Sequence, residues 1–229
     1  MSSLAEYAWL VPVFPAVAFA ALTAMGRGAG RAGAWIGTLA SLVSLVLSLI
    51  IAGQRLSGTT ADYSDHFNWI QAGSTTLTLG YEVTNLTSLM LVVVTLVSFL
   101  VNLYSIGYMK DDERISTFFA YVALFTSSML GLVLSYNLLT MYIFWELVGV
   151  CSFLLVGFWF QKPEAKAAAK KAFIVTRIGD LGLLIAILLL FWYMPDHSLE
   201  FSYIHNVFNT QSGVISMGIT TLIALLIFL

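Results

Sequence analysis

Charge is scarce in this chain of 229 residues: charged residues make up 10% of it, against about 25% in a typical soluble domain. Hydrophobic residues make up 59%. Apolar runs of roughly 20 residues, long enough to cross a bilayer core of about 30 Å, recur along the whole sequence. Because so little polar surface is available, the composition excludes a soluble domain and predicts an integral membrane protein with several spans.

Cysteine and histidine are also scarce. The single cysteine, Cys151, excludes a disulfide framework and an iron–sulfur ligand set within this chain. The histidines His66, His197 and His205 form neither a metal-ligand cluster nor a Ser/His/Asp set with the acids inside the apolar runs. The glycine-rich stretch 26–33 lacks the lysine and the spacing of a phosphate-binding loop. Since no basic patch is present either, we expect no metal, no cofactor and no nucleic-acid partner.

The apolar runs predict six complete spans and a seventh run that reaches the last residue. The chain is therefore predicted to be all-α, a single transmembrane helix bundle over residues 1–229. The seventh run has no polar flank, and a helix that stops inside a membrane leaves its last carbonyls unpaired. We therefore expect a piece of a longer protein. The predicted spans are residues 8–25, 33–52, 84–107, 116–134, 138–160 and 172–193, and the run from 213.

The basic residues predict an orientation for these spans. Eight of the ten lysines and arginines lie in the loops between spans one and two, three and four, and five and six. Arg55 lies in an opposite loop. By the positive-inside rule the three basic loops face the cytoplasm or its equivalent, and the N-terminus lies outside. The eight residues are Arg27, Arg31, Lys110, Arg114, Lys162, Lys166, Lys170 and Lys171.

The longest predicted outside loop, residues 53–83, carries a hairpin signal. The segment "FNWIQAGSTTLTLGYEV" has two short alternating stretches around Ala72-Gly73-Ser74. An open sheet edge cannot face lipid, so such a hairpin would lie on the membrane surface. The sequence predicts a short surface β-hairpin between spans two and three rather than a further span.

Three ionisable residues lie inside predicted spans: Glu146 in "IFWELVG", and Arg177 with Asp180 in "VTRIGDLG". A charged group at that depth costs at least about 2.5 kcal/mol. Arg177 and Asp180 are three residues apart and can pair on one helix face. One interpretation is structural: an intrahelical ion pair, and a carboxyl that packs against a neighbouring helix. The other is a proton relay, because loss of water favours a neutral carboxyl and a nearby cation favours its charged form.

The aromatic residues around Glu146 are interpreted as packing and as membrane-interface belts rather than as a cofactor site. They are Tyr142, Phe144, Trp145, Phe158, Trp159 and Phe160.

Two charged motifs carry a resemblance to a known family. The segments "YIFWELVGVCSFLLVGFW" and "AAKKAFIVTRIGDLGLL" closely resemble the antiporter-like membrane subunits of respiratory complex I, in particular the L subunit of bacterial NADH:quinone oxidoreductase. The segments "NLTSLMLVVVT", "YSIGYM" and "FFAYVALFTSSMLGLVLSYNLL" match the same family. The resemblance implies an antiporter-like fold of 14 core helices in two inverted five-helix repeats. This chain would hold the first repeat, truncated.

The resemblance also implies a function and its residues. It implies proton pumping driven by quinone reduction in other subunits, with no redox site in this chain. Glu146 matches the functional glutamate of the fifth helix, and Arg177 and Asp180 match the arginine and aspartate of the sixth. The essential lysine of the seventh helix would come from sequence beyond Leu229. The implied partners are the lipid bilayer and other membrane and peripheral subunits, and the implied location is a bacterial inner or plasma membrane.

Three alternatives remain open at this point. A subunit of a multi-component Na⁺/H⁺ antiporter shares the fold without a redox partner. The counterpart subunit of photosynthetic complex I takes electrons from ferredoxin, and the donor never touches this subunit. A plain membrane scaffold is the third alternative, and Glu146 argues against it. The neighbouring genes would separate the antiporter from the respiratory complex, whereas sequence alone separates the photosynthetic counterpart poorly.

Overall fold

The computed structural model describes residues 4–58, 62–72, 75–210 and 215–228. These residues form eight α-helices and two β-strands, with short 3-10 turns at Leu4–Tyr7 and Gly26–Ala29. The helices are α1 Leu10–Met25, α2 Gly30–Leu56, α3 Asn85–Tyr108, α4 Ile115–Val133, α5 Leu138–Val156, α6 Pro163–Tyr193, α7 Phe201–Thr210 and α8 Met217–Ile227. The strands are β1 Tyr63–Ala72 and β2 Thr75–Val83.

The predicted all-α membrane architecture is confirmed. Within the described residues, six helices are long and apolar enough to cross a membrane, and α1 to α6 correspond to the six predicted spans. The seventh predicted run forms α8, which is shorter at 11 residues. The first residues of that run, 213–214, lie outside the described residues.

Helix α6 begins nine residues before the predicted span and takes up most of the predicted loop 161–171. Pro163 occupies the first helical position, where its fixed φ suits a helix start and its missing N–H costs nothing. The alanine- and lysine-rich segment that follows has strong helix propensity. The prediction of a loop there was wrong, because hydropathy marks the apolar part of a helix and not its polar first turns. Lys166, Lys170 and Lys171 therefore lie on α6.

The predicted hairpin is present. Strands β1 and β2 pair antiparallel from Tyr63 with Val83 to Ala72 with Thr75, with an irregularity between Asn68 and Ile70. The predicted turn residues at 73–74 lie outside the described residues. The loop boundary at 53 was wrong, because α2 continues to Leu56.

Arg55 lies in this added helical turn, and its buried side chain explains the extension. The guanidinium pairs with Asp62 at 3.0 Å and donates a hydrogen bond to the carbonyl of Val83. It therefore fastens the end of α2 to the end of the hairpin.

The hairpin is bound to one end of the helix bundle through the link between α4 and α5. The Glu82 amide donates to the Leu134 carbonyl at 3.0 Å, and the Tyr81 hydroxyl donates to the Glu6 carbonyl at 2.7 Å. Asn137 Nδ2 donates to the Thr78 carbonyl at 2.7 Å. The Asn137 side chain also accepts from the Thr140 amide at 2.8 Å, so the same residue caps the start of α5. The hairpin thereby helps to set the position of the helix that carries Glu146.

Small and polar residues join the membrane helices. Helix α4 lies in the middle of the bundle, against α1, α2, α3 and α5. Ser44 donates to the Val11 carbonyl at 2.9 Å, and Ser98 shares a hydrogen bond with Thr126 at 2.7 Å. Such contacts let helix backbones approach closely where lipid provides no hydrophobic drive between helices.

Helix α7 was not predicted from the sequence. It is amphipathic and lies between α6 and α8 in a stretch that carries His205. Its buried Val207 packs into an apolar cluster with Leu190, Met194 and Ile223. This packing on neighbouring helices, rather than a long apolar run, keeps the segment helical.

Candidate functional site

Helix α5 carries Glu146 near its middle. The Tyr142 hydroxyl, one helical turn earlier, donates to Glu146 Oε1 at 2.7 Å. The Glu146 side chain is 24% exposed within the described part of the chain. One carboxylate oxygen is therefore held by a neighbour on the same helix, and the other is free to bind across to α6.

Arg177 of α6 contacts two carboxylates. Its Nη1 forms an ion pair with Glu146 Oε2 and lies 3.5 Å from Asp180 Oδ2. The guanidinium also lies over the Phe173 ring, 4.8 Å from the ring centre, one turn earlier on α6. The structure thus brings all three residues named from the sequence into one cluster, with the arginine between the two acids.

The ion pair between Glu146 and Arg177 was not foreseen. The sequence shows no basic residue within a helical turn of Glu146, and the expected counter-charge was the lysine that the family resemblance implies. The actual contact joins two helices whose residues are 31 positions apart in sequence. Local spacing rules do not reach that far.

Asp180 is the most buried member of the cluster, with its side chain 8% exposed. The Trp145 indole Nε1 donates to Asp180 Oδ1 at 2.9 Å. Each Asp180 oxygen therefore has a partner: the indole holds Oδ1, and Arg177 lies near Oδ2. A buried carboxylate needs such partners, because an unpaired charge away from water is costly.

Two of the aromatic residues also have hydrogen bonds that the sequence did not indicate. Tyr142 and Trp145 were interpreted as packing or interface residues, yet each donates a hydrogen bond to an acid of the cluster. For Tyr142 the spacing of four residues to Glu146 could have shown this, since such residues are neighbours on a helix. For Trp145 no sequence signal exists, because its partner lies on another helix.

Helix α5 has a glycine, Gly149, where it faces Arg177. A Cβ added at Gly149 would lie 3.9 Å from Asp180 Oδ2 and 4.0 Å from Arg177 Nη2, in ordinary contact. The side chains of Arg177 and Asp180 therefore approach α5 at a residue that has no side chain.

The arrangement forms a chain of five polar side chains across two helices, in the order Tyr142, Glu146, Arg177, Asp180 and Trp145. A guanidinium keeps its proton in proteins, so Arg177 is a fixed positive charge for which two acids compete. When the arginine lies closer to one carboxylate, the other loses part of its counter-charge, because the attraction between charges falls with distance. The cluster can therefore couple the position of one arginine to the charge balance of two acids.

The described residues contain no group of three or more histidine, cysteine, aspartate and glutamate side chains that could hold a metal ion. The histidines serve other contacts. His66 stacks on Tyr136 with ring centres 5.0 Å apart, His197 contacts the Phe191 carbonyl, and His205 contacts Asn209.

Two family descriptions match consecutive parts of the chain. "NADH-Ubiquinone oxidoreductase (complex I), chain 5 N-terminus" matches residues 69–119, from the hairpin to the start of α4. "NADH:quinone oxidoreductase/Mrp antiporter, TM" matches residues 135–229, which include the whole Glu146 cluster. The chain belongs to the complex I and antiporter membrane-subunit family. It is an integral membrane protein of this family, as the six membrane-spanning helices also indicate.

Curated relatives of this family are similar over almost the whole chain. It is 44% identical over 231 residues to NAD(P)H-quinone oxidoreductase subunit 5, chloroplastic, of Mesostigma viride, covering 93% of this chain and 35% of the relative. It is 41% identical over 240 residues to NAD(P)H-quinone oxidoreductase chain 5 of Synechocystis sp., covering 100% of this chain and 34% of the relative. The chain thus spans about a third of the length of these relatives, which are subunits of an enzyme complex.

A solved member of the wider family has the same fold. The structure of the Mrp complex from Dietzia sp. DQ12-45-1b matches with a TM-score of 0.73 and 24% identity, over 95% of this chain and 23% of that chain. At this identity the likeness concerns the fold alone. The helix arrangement described above is therefore an antiporter-like one.

Proposed function

We propose that this chain is the proton-translocating part of a membrane subunit in a complex I-type NADH:quinone oxidoreductase. The supporting observation is the cluster in which Arg177 lies between Glu146 and Asp180 inside membrane-spanning helices. In this proposal the chain holds no redox centre. Quinone reduction takes place in partner subunits, and the chain couples that reaction to proton movement.

In the proposed mechanism Glu146 carries the proton and Arg177 is the switch. With Arg177 against Glu146, the carboxylate is ionised and its charge is balanced. When Arg177 moves toward Asp180, Glu146 loses its counter-charge in a poorly solvated site and takes up a proton. The return of Arg177 favours release of that proton. Tyr142 holds the carboxyl in place throughout by its hydrogen bond to Oε1.

Asp180 and Trp145 define the second position of the switch. Asp180 is the more buried acid and keeps one oxygen on the indole of Trp145, so its other oxygen points at the arginine. A further lysine, implied by the family resemblance, would give Glu146 a second cation to exchange its proton with. That lysine stays a prediction.

The first test replaces Glu146 by glutamine in the full-length subunit within its intact complex. Glu146→Gln keeps the shape and the hydrogen bond with Tyr142 but removes the titratable group and the partner charge of Arg177. In proteoliposomes we expect the rate of proton pumping to fall at least about tenfold, since proton-transfer groups typically contribute a hundredfold or more to a rate. The complex should still assemble, and coupled electron transfer should slow with pumping.

Two further variants sharpen this test. Glu146→Asp should keep part of the activity, because the carboxyl remains about one methylene short of Arg177. Glu164→Gln makes the same chemical change on the exposed first turn of α6 and should leave pumping unaltered. Wild-type pumping by an assembled Glu146→Gln complex would show that Glu146 only packs against α6.

A Na⁺/H⁺ antiporter subunit is the second candidate, because the family description that covers the cluster also names Mrp antiporters. Its test is whether the isolated complex drives proton movement with a quinone and an electron donor, or only exchanges Na⁺ for H⁺ without one. The chloroplastic and cyanobacterial relatives favour a photosynthetic variant of the first proposal. Reduction of quinone by ferredoxin rather than by NADH would identify that variant.

A further inference from the structure

A basic cavity lies at the end of the bundle opposite the hairpin. It has a volume of about 380 Å³ and is lined by residues of α4, α5 and α6 and of the links before α4 and after α5. Arg114, Lys166 and Lys170 line it, and no acidic residue does so within the described part of the chain. Three positive charges therefore converge on one cleft that the proton relay does not use.

Arg114 is held in place by aromatic rings and by the backbone. Its guanidinium lies 4.5 Å from the centre of the Phe158 ring and 4.7 Å from that of Phe160, and it donates to the Phe158 carbonyl. A guanidinium has five N–H donors, so this single bond leaves others for a ligand. The side chain is thus ordered in advance, which lowers the entropic cost of binding an anion.

Asp112, two residues before Arg114, is already engaged by other hydrogen bonds. Asp112 accepts from the Arg114 backbone amide at 2.8 Å and from the Trp159 indole at 3.0 Å. Although partial burial raises the pKa of Asp112, these two hydrogen bonds and the Arg114 charge together lower it from its usual value. Asp112 therefore does not occupy the remaining side-chain donors of Arg114, as no ion pair joins the two side chains within the described residues.

The two lysines stand on one face of α6. Lys166 and Lys170 are four residues apart, so they are neighbours on the helix surface, and both are exposed. Ala169 lies buried between them against Gly157 of the α5–α6 link. Because these two residues are small, α6 lies close to the α5–α6 link at this point. Lys166 and Lys170 line the cleft on either side of Ala169.

The remaining wall of the cavity is apolar and belongs to a membrane span. Phe153 and Leu154 are residues of α5, and Tyr121 of α4 adds a ring and a hydroxyl. A free phosphate ion would use only the cations. A phospholipid would use both parts, with its phosphate on the cations and its acyl chains along the apolar wall. Basic pockets between membrane helices favour anionic headgroups in this way.

We propose that the cleft lined by Arg114, Lys166 and Lys170 binds the phosphate of an anionic phospholipid headgroup. The lipid contacts α4, α5 and α6 near the start of α6. Arg177 and Asp180 lie further along that same helix. This binding does not depend on the proposed proton relay.

The test uses the intact complex in nanodiscs that contain phosphatidylglycerol and phosphatidylcholine, with quantification of the lipid retained after purification. The double variant Lys166→Gln and Lys170→Gln should lower the preference for phosphatidylglycerol by about fivefold for each lysine removed. Lys171→Gln is the matched control, since it removes one charge at the adjacent position of α6 but outside the cavity lining. Both lysines are exposed, so the thermal midpoint of the complex should not change.

Each other outcome overturns the proposal. Unchanged lipid preference in the double variant would mean that the cleft binds no headgroup. A loss in Lys171→Gln as large as the one expected for a single cavity lysine would mean that only the general surface charge attracts the lipid. Displacement of phosphatidylglycerol by inorganic phosphate alone would make the cleft a site for free phosphate.

Discussion

At the scale of single residues, the cluster depends on hydrogen bonds that hold each acid toward Arg177. Tyr142 and Trp145 are positioning residues in this sense, because they touch the acids and not the arginine. An unsatisfied buried acceptor costs about 1–3 kcal/mol. Removing one donor should therefore change which acid the arginine prefers.

Trp145→Phe tests this expectation. The variant keeps an aromatic ring but removes the donor to Asp180, so Asp180 should draw Arg177 closer and weaken its pair with Glu146. We expect pumping to fall several-fold, less than in Glu146→Gln. Trp159→Phe is the matched control, because it removes an indole donor to Asp112 between the α5–α6 and α3–α4 links, away from the cluster. Equal pumping by both variants would contradict the role of Trp145, and unchanged thermal stability would exclude simple unfolding.

At the scale of elements, the contact between α4 and α5 relies on one glycine. A Cβ at Gly131 would lie 2.4 Å from Phe144 Cε1, much closer than real contacts allow. Gly131→Ala should therefore force the ring or the helix to move and destabilise the subunit by about 1–3 kcal/mol. The thermal midpoint of the complex measures this loss.

Two comparisons make the Gly131 prediction specific. Gly107→Ala on α3 should be nearly neutral, since a Cβ there meets nothing within 4 Å. Adding Phe144→Leu to Gly131→Ala should restore part of the stability, because the smaller leucine side chain leaves space for the added Cβ. No rescue by the double variant would mean that the two residues are not coupled.

The hairpin carries a pH-dependent element. Burial, and then the negative charge of Asp62, raise the pKa of Glu82 from its usual value. A group with a raised pKa in the folded state binds its proton more tightly there. Its stabilising contribution is therefore present at low pH and is lost as the pH rises through the raised value.

We accordingly expect the hairpin of the wild type to loosen as the pH rises above the usual glutamate pKa of about 4.3 and through the raised pKa of Glu82. Glu82→Gln should remove most of this dependence. Hydrogen–deuterium exchange of residues 75–83, corrected for the intrinsic rate at each pH, measures it. Identical pH profiles for the two proteins would show that Glu82 does not govern the hairpin.

At the scale of the whole molecule, the links between helices lie in two groups, one at each end of the bundle. At one end the hairpin contacts the α4–α5 link, and Glu200 after α6 binds Thr78 and Tyr136. At the other end the α3–α4 and α5–α6 links meet through Arg114 and Phe158 and through Asp112 and Trp159. This separation is the one that alternating spans require.

The side of the membrane on which each end lies is a prediction from the positive-inside rule. On a Cys151→Ala background, Lys166→Cys should react with an impermeant thiol reagent from the cytoplasmic side only. Asn68→Cys on β1, an exposed position, should react from outside only. Labelling of Lys166→Cys from outside would reverse the orientation and place the N-terminus in the cytoplasm.

The sequence by itself determined the membrane class, the six spans, the hairpin between α2 and α3 and the three charged residues of the candidate site. These follow from local quantities: the length of apolar runs, the alternation of strand residues, and the cost of a charge in hydrocarbon. The helical extension to Pro163 and helix α7 were not predicted, because polar or amphipathic helical turns form no long apolar run. In both places propensity and packing, not apolar length, decide the conformation.

Only the tertiary structure decided how the charges are paired. Arg177 and Asp180 share a helix, so their spacing alone allowed a contact. The ion pair of Arg177 with Glu146, the indole bond from Trp145 to Asp180 and the convergence of Arg114 with Lys166 and Lys170 all join different elements. Such contacts depend on the rotation and separation of packed helices. Those are set by close approaches such as Gly131 against Phe144, which a one-dimensional pattern does not contain.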